Sequence, residues 1–193
     1  YDLDIPLSIL NTDVPAAAPT DVLQHRKLFD SHGRQIRDLR LSVTDRCNFR
    51  CVYCMAPDVK YIPKMQLLSL DEYIRVIKIA MSLGINKLRI TGGEPTLYPH
   101  LDDLIEQVGK MGLKDIALTT NGSRIRNQWA QRWKSLGLSR VTVSLDTLNP
   151  QRKDAITRSQ VSLDTVIKSI DSLRDAGLTL VKVNAVIMRG VNH

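Results

Sequence analysis

All three cysteines of this 193-residue chain fall within eight positions, as Cys47-Asn-Phe-Arg-Cys51-Val-Tyr-Cys54, a C-x3-C-x2-C run with an aromatic residue before the last thiol. Three thiolates can hold three irons of a [4Fe–4S] cube and leave the fourth iron without a protein ligand. An open coordination position separates a catalytic metal site from a closed structural one. Zinc would require a fourth ligand, and the nearby imidazoles, His32 and His100, are isolated from each other. A disulfide framework requires an even number of cysteines and a secreted context. The spacing therefore points to iron–sulfur chemistry on a bound small molecule.

The elements that must position these thiols are legible from apolar patterning. Short apolar runs at 37–43, 87–91, 115–119, 140–145 and 180–187 are bounded by turn residues and read as strands. Helical patterns separate them. Ser69-Leu-Asp-Glu72 forms a capping box, followed by an apolar stripe through Tyr73, Ile74, Ile77 and Met81 that ends at Gly84. Residues 101–111, 126–136 and 163–176 repeat the pattern and stop at Gly112, Gly137 and Gly177. Repeated βα units predict an α/β fold with a right-handed parallel sheet, and five strands predict a partial barrel rather than a closed one of eight.

Alternation along the strands divides them into two faces. One reads Leu39, Leu41, Val43, Leu88, Ile90, Ile116, Leu118, Val141, Val143, Leu145, Val181, Val183, Ala185 and Ile187, and is expected to lie under the helices. The other reads Arg40, Ser42, Thr44, Arg89, Thr91, Thr119, Asn121, Thr142, Ser144, Asp146, Lys182 and Asn184. A dry core would penalise those polar groups heavily, so this face should line a wet, ligand-holding lumen. Arg40, Arg89 and Lys182 make that lumen cationic, with Asp146 its one carboxylate near the rim, and a phosphate-bearing ligand suits them. The cysteine loop, Gly92-Gly93-Glu94-Pro95, Asn121-Gly122 and Asp146 follow successive strands and share one rim, where such folds place their sites. Gly92 and Gly93 are expected to let backbone approach a ligand closely.

Net charge is +7, and residues 1–25 carry Asp2, Asp4, Asp13 and Asp21 but no Lys or Arg, so the rest is more basic still. The excess favours anionic partners. Aromatic residues make up only 5% and do not interleave with the basic ones, which argues against a nucleic-acid platform. No apolar run reaches the ~18 residues that a membrane span needs, and no signal peptide opens the chain, so a cytoplasmic location is expected. Residues 1–28, with Pro15 and Pro19 around an alanine run, read as a flexible tail, and 29–193 as the folded part. A first residue of Tyr and an end just after a strand lead us to expect a fragment of a longer protein.

The run from Leu39 to Met55, Arg89-Ile90-Thr91-Gly92-Gly93-Glu94-Pro95, Thr119-Thr120-Asn121-Gly122, Val143-Ser144-Leu145-Asp146 and Lys182-Val183-Asn184 resemble the radical S-adenosylmethionine (radical SAM) enzymes. Within that superfamily they are most like the MoaA family of GTP 3′,8-cyclases, lyases of molybdenum-cofactor biosynthesis. The resemblance implies that Cys47, Cys51 and Cys54 hold a [4Fe–4S] cluster whose free iron takes SAM. It implies that Tyr53, Gly92, Gly93, Glu94 and Ser144 bind SAM, and that Arg40, Arg89, Thr119 and Lys182 bind GTP. Reductive cleavage of SAM would give a 5′-deoxyadenosyl radical that converts GTP to 3′,8-cyclo-7,8-dihydro-GTP. No acid–base residue is expected to carry the hard step. A reductant such as flavodoxin or ferredoxin is implied, and so is a second [4Fe–4S] cluster in a C-terminal region absent here, without which this piece should not turn over. Oligomeric state stays open, a homodimer included. Met55-Ala56-Pro57 departs from the family's usual Met-Pro, which keeps open another radical SAM enzyme acting on a peptide or forming a thioether. A metal-binding module for nucleic acid is the non-enzymatic rival.

Overall fold

The computed structural model describes residues 27–178 and 180–193. Five parallel strands, β1 (Asp38–Ser42), β2 (Lys87–Thr91), β3 (Asp115–Thr120), β4 (Arg140–Ser144) and β5 (Val181–Asn184), lie side by side in chain order. Helices α1 (Leu70–Ser82), α2 (Leu101–Gly109) and α3 (Asn127–Ser135) fill the first three crossovers; α4 (Pro150–Thr157) and α5 (Leu163–Asp175) fill the last. This is the open α/β sheet that the alternating pattern implies. The expected flexible tail, 1–28, falls outside the described residues apart from Lys27 and Leu28. Leu28 belongs to the fold: its N–H donates to Leu83 O at the end of α1, and Phe29 bridges to Gln35.

Capping sets the start of α1 as its sequence requires. Ser69 Oγ accepts from the Glu72 N–H while Glu72 Oε2 accepts from the Ser69 N–H at 2.7 Å. Behind this cap Tyr73, Ile74 and Ile77 are buried against the sheet. The core runs between helices and sheet through Leu88, Ile90, Leu104, Ile105, Val108, Leu118, Ala130, Trp133, Val141 and Val143. Each large aliphatic side chain so buried contributes about 1.5–3 kcal/mol relative to exposure. Trp133 keeps its one polar atom satisfied by donating Nε1–H to Asp102 Oδ1 at 2.7 Å.

The register puts the alternate polar residues on one face. Arg40 lies opposite Arg89, and Thr119 lies opposite Thr142, which lies opposite Lys182. Two expectations need correction. Asp146 is not the only carboxylate of that face, because Asp38 and Asp115 occupy its other end, flanking Lys87. Asp115 there pairs with Arg140, which with Lys87 adds two cations to the three expected on that face. Nor is the opposite face of β5 covered: Val183 is 47% and Ile187 66% exposed. A parallel strand is covered by the helices on either side of its crossovers, and among the described residues only α5 flanks β5. The ladder also stops at Asn184 rather than 187.

Leu118→Ala is expected to cost about 2–5 kcal/mol, read as a lower urea midpoint at unchanged slope. Val183→Ala in the same chain should stay within about 0.5 kcal/mol. Equal effects of the two would show that the assignment of faces is wrong.

Candidate active site

The loops after β1, β2, β3 and β4 meet above the C-terminal ends of the strands. There they enclose a cavity of about 220 Å³ lined by Cys47, Cys51, Cys54, Tyr53, Gly92, Gly93, Glu94, Thr119, Asn121, Ser144, Asp146 and Lys153. Every expected thiol and SAM-site residue is thus brought to one place, with Thr119. Arg40, Arg89 and Lys182 do not line this cavity. They share the concave face beneath and beside it, as the register requires.

The cysteine loop is held by backbone contacts from both sides. The Gly93 N–H donates to Thr44 O at 2.6 Å and the Glu94 N–H to Arg46 O at 2.7 Å. A Cβ on Gly92 would come within 2.5 Å of Thr44 O, and one on Gly93 within 2.3 Å of Arg46 O. The two glycines are therefore required by the approach of one loop backbone to another, in addition to any approach to a ligand. On the far side the Arg50 N–H donates to Thr157 O at 2.8 Å and the Val52 N–H to Ile156 O at 2.9 Å, docking the loop on the end of α4. Apolar periodicity does not announce α4, which buries only Lys153, Ile156 and Thr157. Its signal is a cap: Asn149 accepts from the Arg152 N–H, with Pro150 in the first turn.

Glu94 is 1% exposed. Its Oε1 accepts from the Thr96 N–H, from Thr96 Oγ1 at 2.7 Å and from Thr120 Oγ1 at 2.7 Å; Oε2 accepts from the Asn121 N–H at 2.7 Å. The carboxylate braces the β2 loop to the end of β3, and any ligand ammonium would share it with these donors. Asn121 in turn donates Nδ2–H to Asn48 Oδ1 at 2.9 Å and to Cys47 Sγ at 3.9 Å. Asn48 donates to Ser123 Oγ. Sequence places Asn121 on the polar face and the rim but gives it no partner, so its contact with a thiol is new from the structure. Tyr53 donates its hydroxyl to Asp146 Oδ2 at 2.8 Å, and Oδ1 of the same carboxylate accepts from the Val186 N–H.

The Met55-Ala56-Pro57 segment opens a loop that folds back over the thiols. Tyr61 donates its hydroxyl to Cys47 O, and Arg46 and Arg50 each lie 5.4 Å from its ring centroid. Two guanidinium groups on one ring place positive charge beside the cysteine loop.

Burial pushes the Cys47 thiol up, with the nearby Glu94 charge adding to the effect. Burial, and then the charges of Cys47 and Asp146, push Cys51 to about 11. Burial and the bond to Asp146 likewise raise Tyr53. A thiolate in this setting needs a cation to compensate it, which iron supplies. Among the described residues no three His, Cys, Asp or Glu side chains converge to chelate a single ion. Three thiols around one cavity, each free to take its own metal atom, fit a polynuclear cluster.

Parallel βα units carry a C-x3-C-x2-C loop and a GGEP loop on one rim, the arrangement of a radical SAM domain. The chain belongs to the Radical SAM superfamily, whose family model matches residues 41–193. Among curated proteins it is 48% identical over 164 residues to GTP 3′,8-cyclase 1 of Pseudomonas aeruginosa, an alignment covering 84% of this chain and 49% of that protein. It is 45% identical over 166 residues to the GTP 3′,8-cyclase of Marinobacter nauticus, covering 86% and 50%. The chain spans about half the length of the curated relatives it matches. Its fold is also that of Streptococcus suis SuiB bound to precursor peptide SuiA, with a TM-score of 0.67 at 22% identity, covering 79% of this chain and 33% of SuiB. No helix among the described residues is long and apolar enough to cross a membrane.

Glu94→Ala is expected to destabilise the chain by about 3 kcal/mol or more, since buried donors lose a charged acceptor. Glu94→Gln, which keeps one acceptor, should lose less. Thermal melts of the two variants without added iron test this, and an unshifted melt for Glu94→Ala would remove the brace. Cys51→Ala should abolish the visible absorbance of the chain reconstituted with iron and sulfide; retained absorbance would move the cluster elsewhere.

Proposed function

We propose that this chain is the cofactor- and triphosphate-holding part of a GTP 3′,8-cyclase acting in molybdenum-cofactor biosynthesis. The observation that carries the reading is electrostatic. Arg40 and Arg89 stand directly opposite each other on adjacent strands, with Lys182 across the same face. None of the three makes an ion pair or a side-chain hydrogen bond with the described residues, whereas Arg140 on that face is paired with Asp115. Like charges set opposite one another repel, and a polyanion bound between the strands relieves that repulsion. The similarity to curated GTP 3′,8-cyclases supports GTP as that polyanion.

In this reading Cys47, Cys51 and Cys54 hold a [4Fe–4S] cluster, and Tyr53, Gly92, Gly93, Glu94 and Ser144 surround SAM. Tyr53 is oriented by Asp146, Gly93 by Thr44 and Glu94 by Arg46, so the residues that would surround SAM are held by the chain's own contacts. When bound, the cluster and SAM would supply the radical chemistry that abstracts hydrogen from the nucleotide. Arg40, Arg89, Thr119 and Lys182 bind the nucleotide and set its ribose towards the rim. No side chain need move a proton in the hydrogen transfer; the chain's part is to orient and to exclude water. The electron comes from a flavodoxin or ferredoxin in the cytoplasm. The second cluster lies outside these 193 residues, because all three cysteines belong to one loop.

The test uses the full-length protein, reconstituted anaerobically, reduced and given SAM, with 5′-deoxyadenosine measured under GTP, ATP and no nucleotide. Stimulation by GTP alone is expected. Indifference to nucleotide would overturn the cyclase reading and leave the superfamily intact. Lys182→Ala should weaken GTP binding by about tenfold or more while SAM cleavage persists; unchanged GTP affinity would remove Lys182 from the site.

A further inference from the structure

The end of α4 that receives the cysteine loop is its C-terminal end, the negative pole of its peptide dipoles. Thr157 O and Ile156 O accept the Arg50 and Val52 N–H groups there. The carboxylates of Glu94 and Asp146 line the same cavity. On this side thiolates bound to iron face groups that oppose further negative charge, while the Arg46 and Arg50 guanidiniums lie beside Tyr61. A compensating charge comes from α4 itself. Lys153 is 2% exposed, and its ammonium donates to Val161 O, to Asp154 Oδ1 at 2.9 Å and to Ser159 O at 3.4 Å. All three of its N–H groups are thereby engaged. Nζ lies 5.5 Å from the ring centroid of Phe49. Phe49 is buried between Cys47 and Cys51 in sequence, and its own N–H donates to Cys47 Sγ at 3.3 Å. The side chain of Asp154 is 60% exposed, so water screens that carboxylate while the ammonium stays shielded.

We propose that Lys153 is a positioning residue for the iron–sulfur cluster, a fixed buried cation behind Phe49 that makes the cluster easier to reduce by one electron. The inference rests on the cluster reading of Cys47, Cys51 and Cys54 and is independent of GTP. Adding an electron increases the negative charge of the cluster. A nearby positive charge shielded from water therefore stabilises the reduced form more than the oxidised one. The same side chain ties the 159–161 turn to α4 and packs on Phe49, the buried aromatic residue of the cysteine run, so it sets the loop's position as well as its potential.

The test is a redox titration of the reconstituted full-length protein with dithionite as the one-electron source, without SAM, following the reduced cluster by electron paramagnetic resonance. Lys153→Met should lower the ratio of reduced to oxidised cluster at a fixed potential by about tenfold, equivalent to about 59 mV for one electron. Lys153→Arg should restore most of it. Asp154→Asn removes a carboxylate that water already screens and should leave the ratio within about twofold. A Lys153→Met protein that loads iron fully and titrates like the parent would overturn the proposal. If Lys153→Met fails to load iron, the neutral but polar Lys153→Gln decides: a lowered ratio of reduced to oxidised cluster supports the proposal, and an unchanged or raised one ends it. Failure of the unsubstituted protein to form any cluster would instead overturn the cofactor reading.

Discussion

The contact between the backbone of Gly92-Gly93-Glu94 and the backbone of Thr44-Asp45-Arg46 is the joint on which the site depends. It places two main-chain hydrogen bonds of 2.6 and 2.7 Å at a separation that no Cβ could share. Through it the loop after β1 is positioned by the loop after β2, and each is carried by a strand buried on its helix-covered face. Because parallel strands leave the sheet in the same direction, both loops emerge on the same rim. A metal-binding loop on its own would have the conformational freedom of any surface loop. Clamped between the GGEP loop and the end of α4, it presents its three thiols around one cavity.

Glu94 explains how such a crown tolerates burial. An isolated carboxylate in this position would be costly to desolvate, but four donors from Thr96, Thr120 and Asn121 replace the water it loses. The brace links β2 to β3, and Asn121 carries the link on to Asn48 and Cys47. Asp146 does the corresponding work on the other flank, joining Tyr53 to the segment after β5. Three loops are thus tied to the thiol loop by polar contacts whose donors and acceptors are matched.

Electrostatically the concave face is graded. Its N-terminal end carries Asp38, Lys87, Asp115 and Arg140, opposite charges on adjacent strands, with Asp115 ion-paired to Arg140. Its middle carries Arg40, Arg89 and Lys182 without partners among the described residues, and its rim carries thiols among carboxylates. A polyanion is drawn to the middle, and the rim offers metal-binding groups whose ionisation burial penalises until metal compensates them. The same chain therefore keeps two kinds of ligand in adjoining zones of one face.

How much of this could be read from sequence follows from range. The cysteine spacing, the capping box at Ser69, the strand periods and the glycine stops of the helices are all local signals, and local signals determined the element order, the polar face and the rim residues. Val183 and Ile187 show the limit: alternation assigns a residue to a face, but only the surrounding elements decide whether that face is covered. α4 escaped because a short helix with few apolar residues has no period to detect, although its Asn-Pro cap was present. The reason for two glycines, the engagement of Glu94, the thiol contact of Asn121 and the burial of Lys153 belong to tertiary structure alone. Each includes a contact between chain segments far apart in sequence, as Lys153 with Phe49 and Glu94 with Thr120, and neither partner's composition announces the other. Residue types and spacing determined which chemistry was available; the close approach of distant backbones decided where its groups stand and what surrounds them.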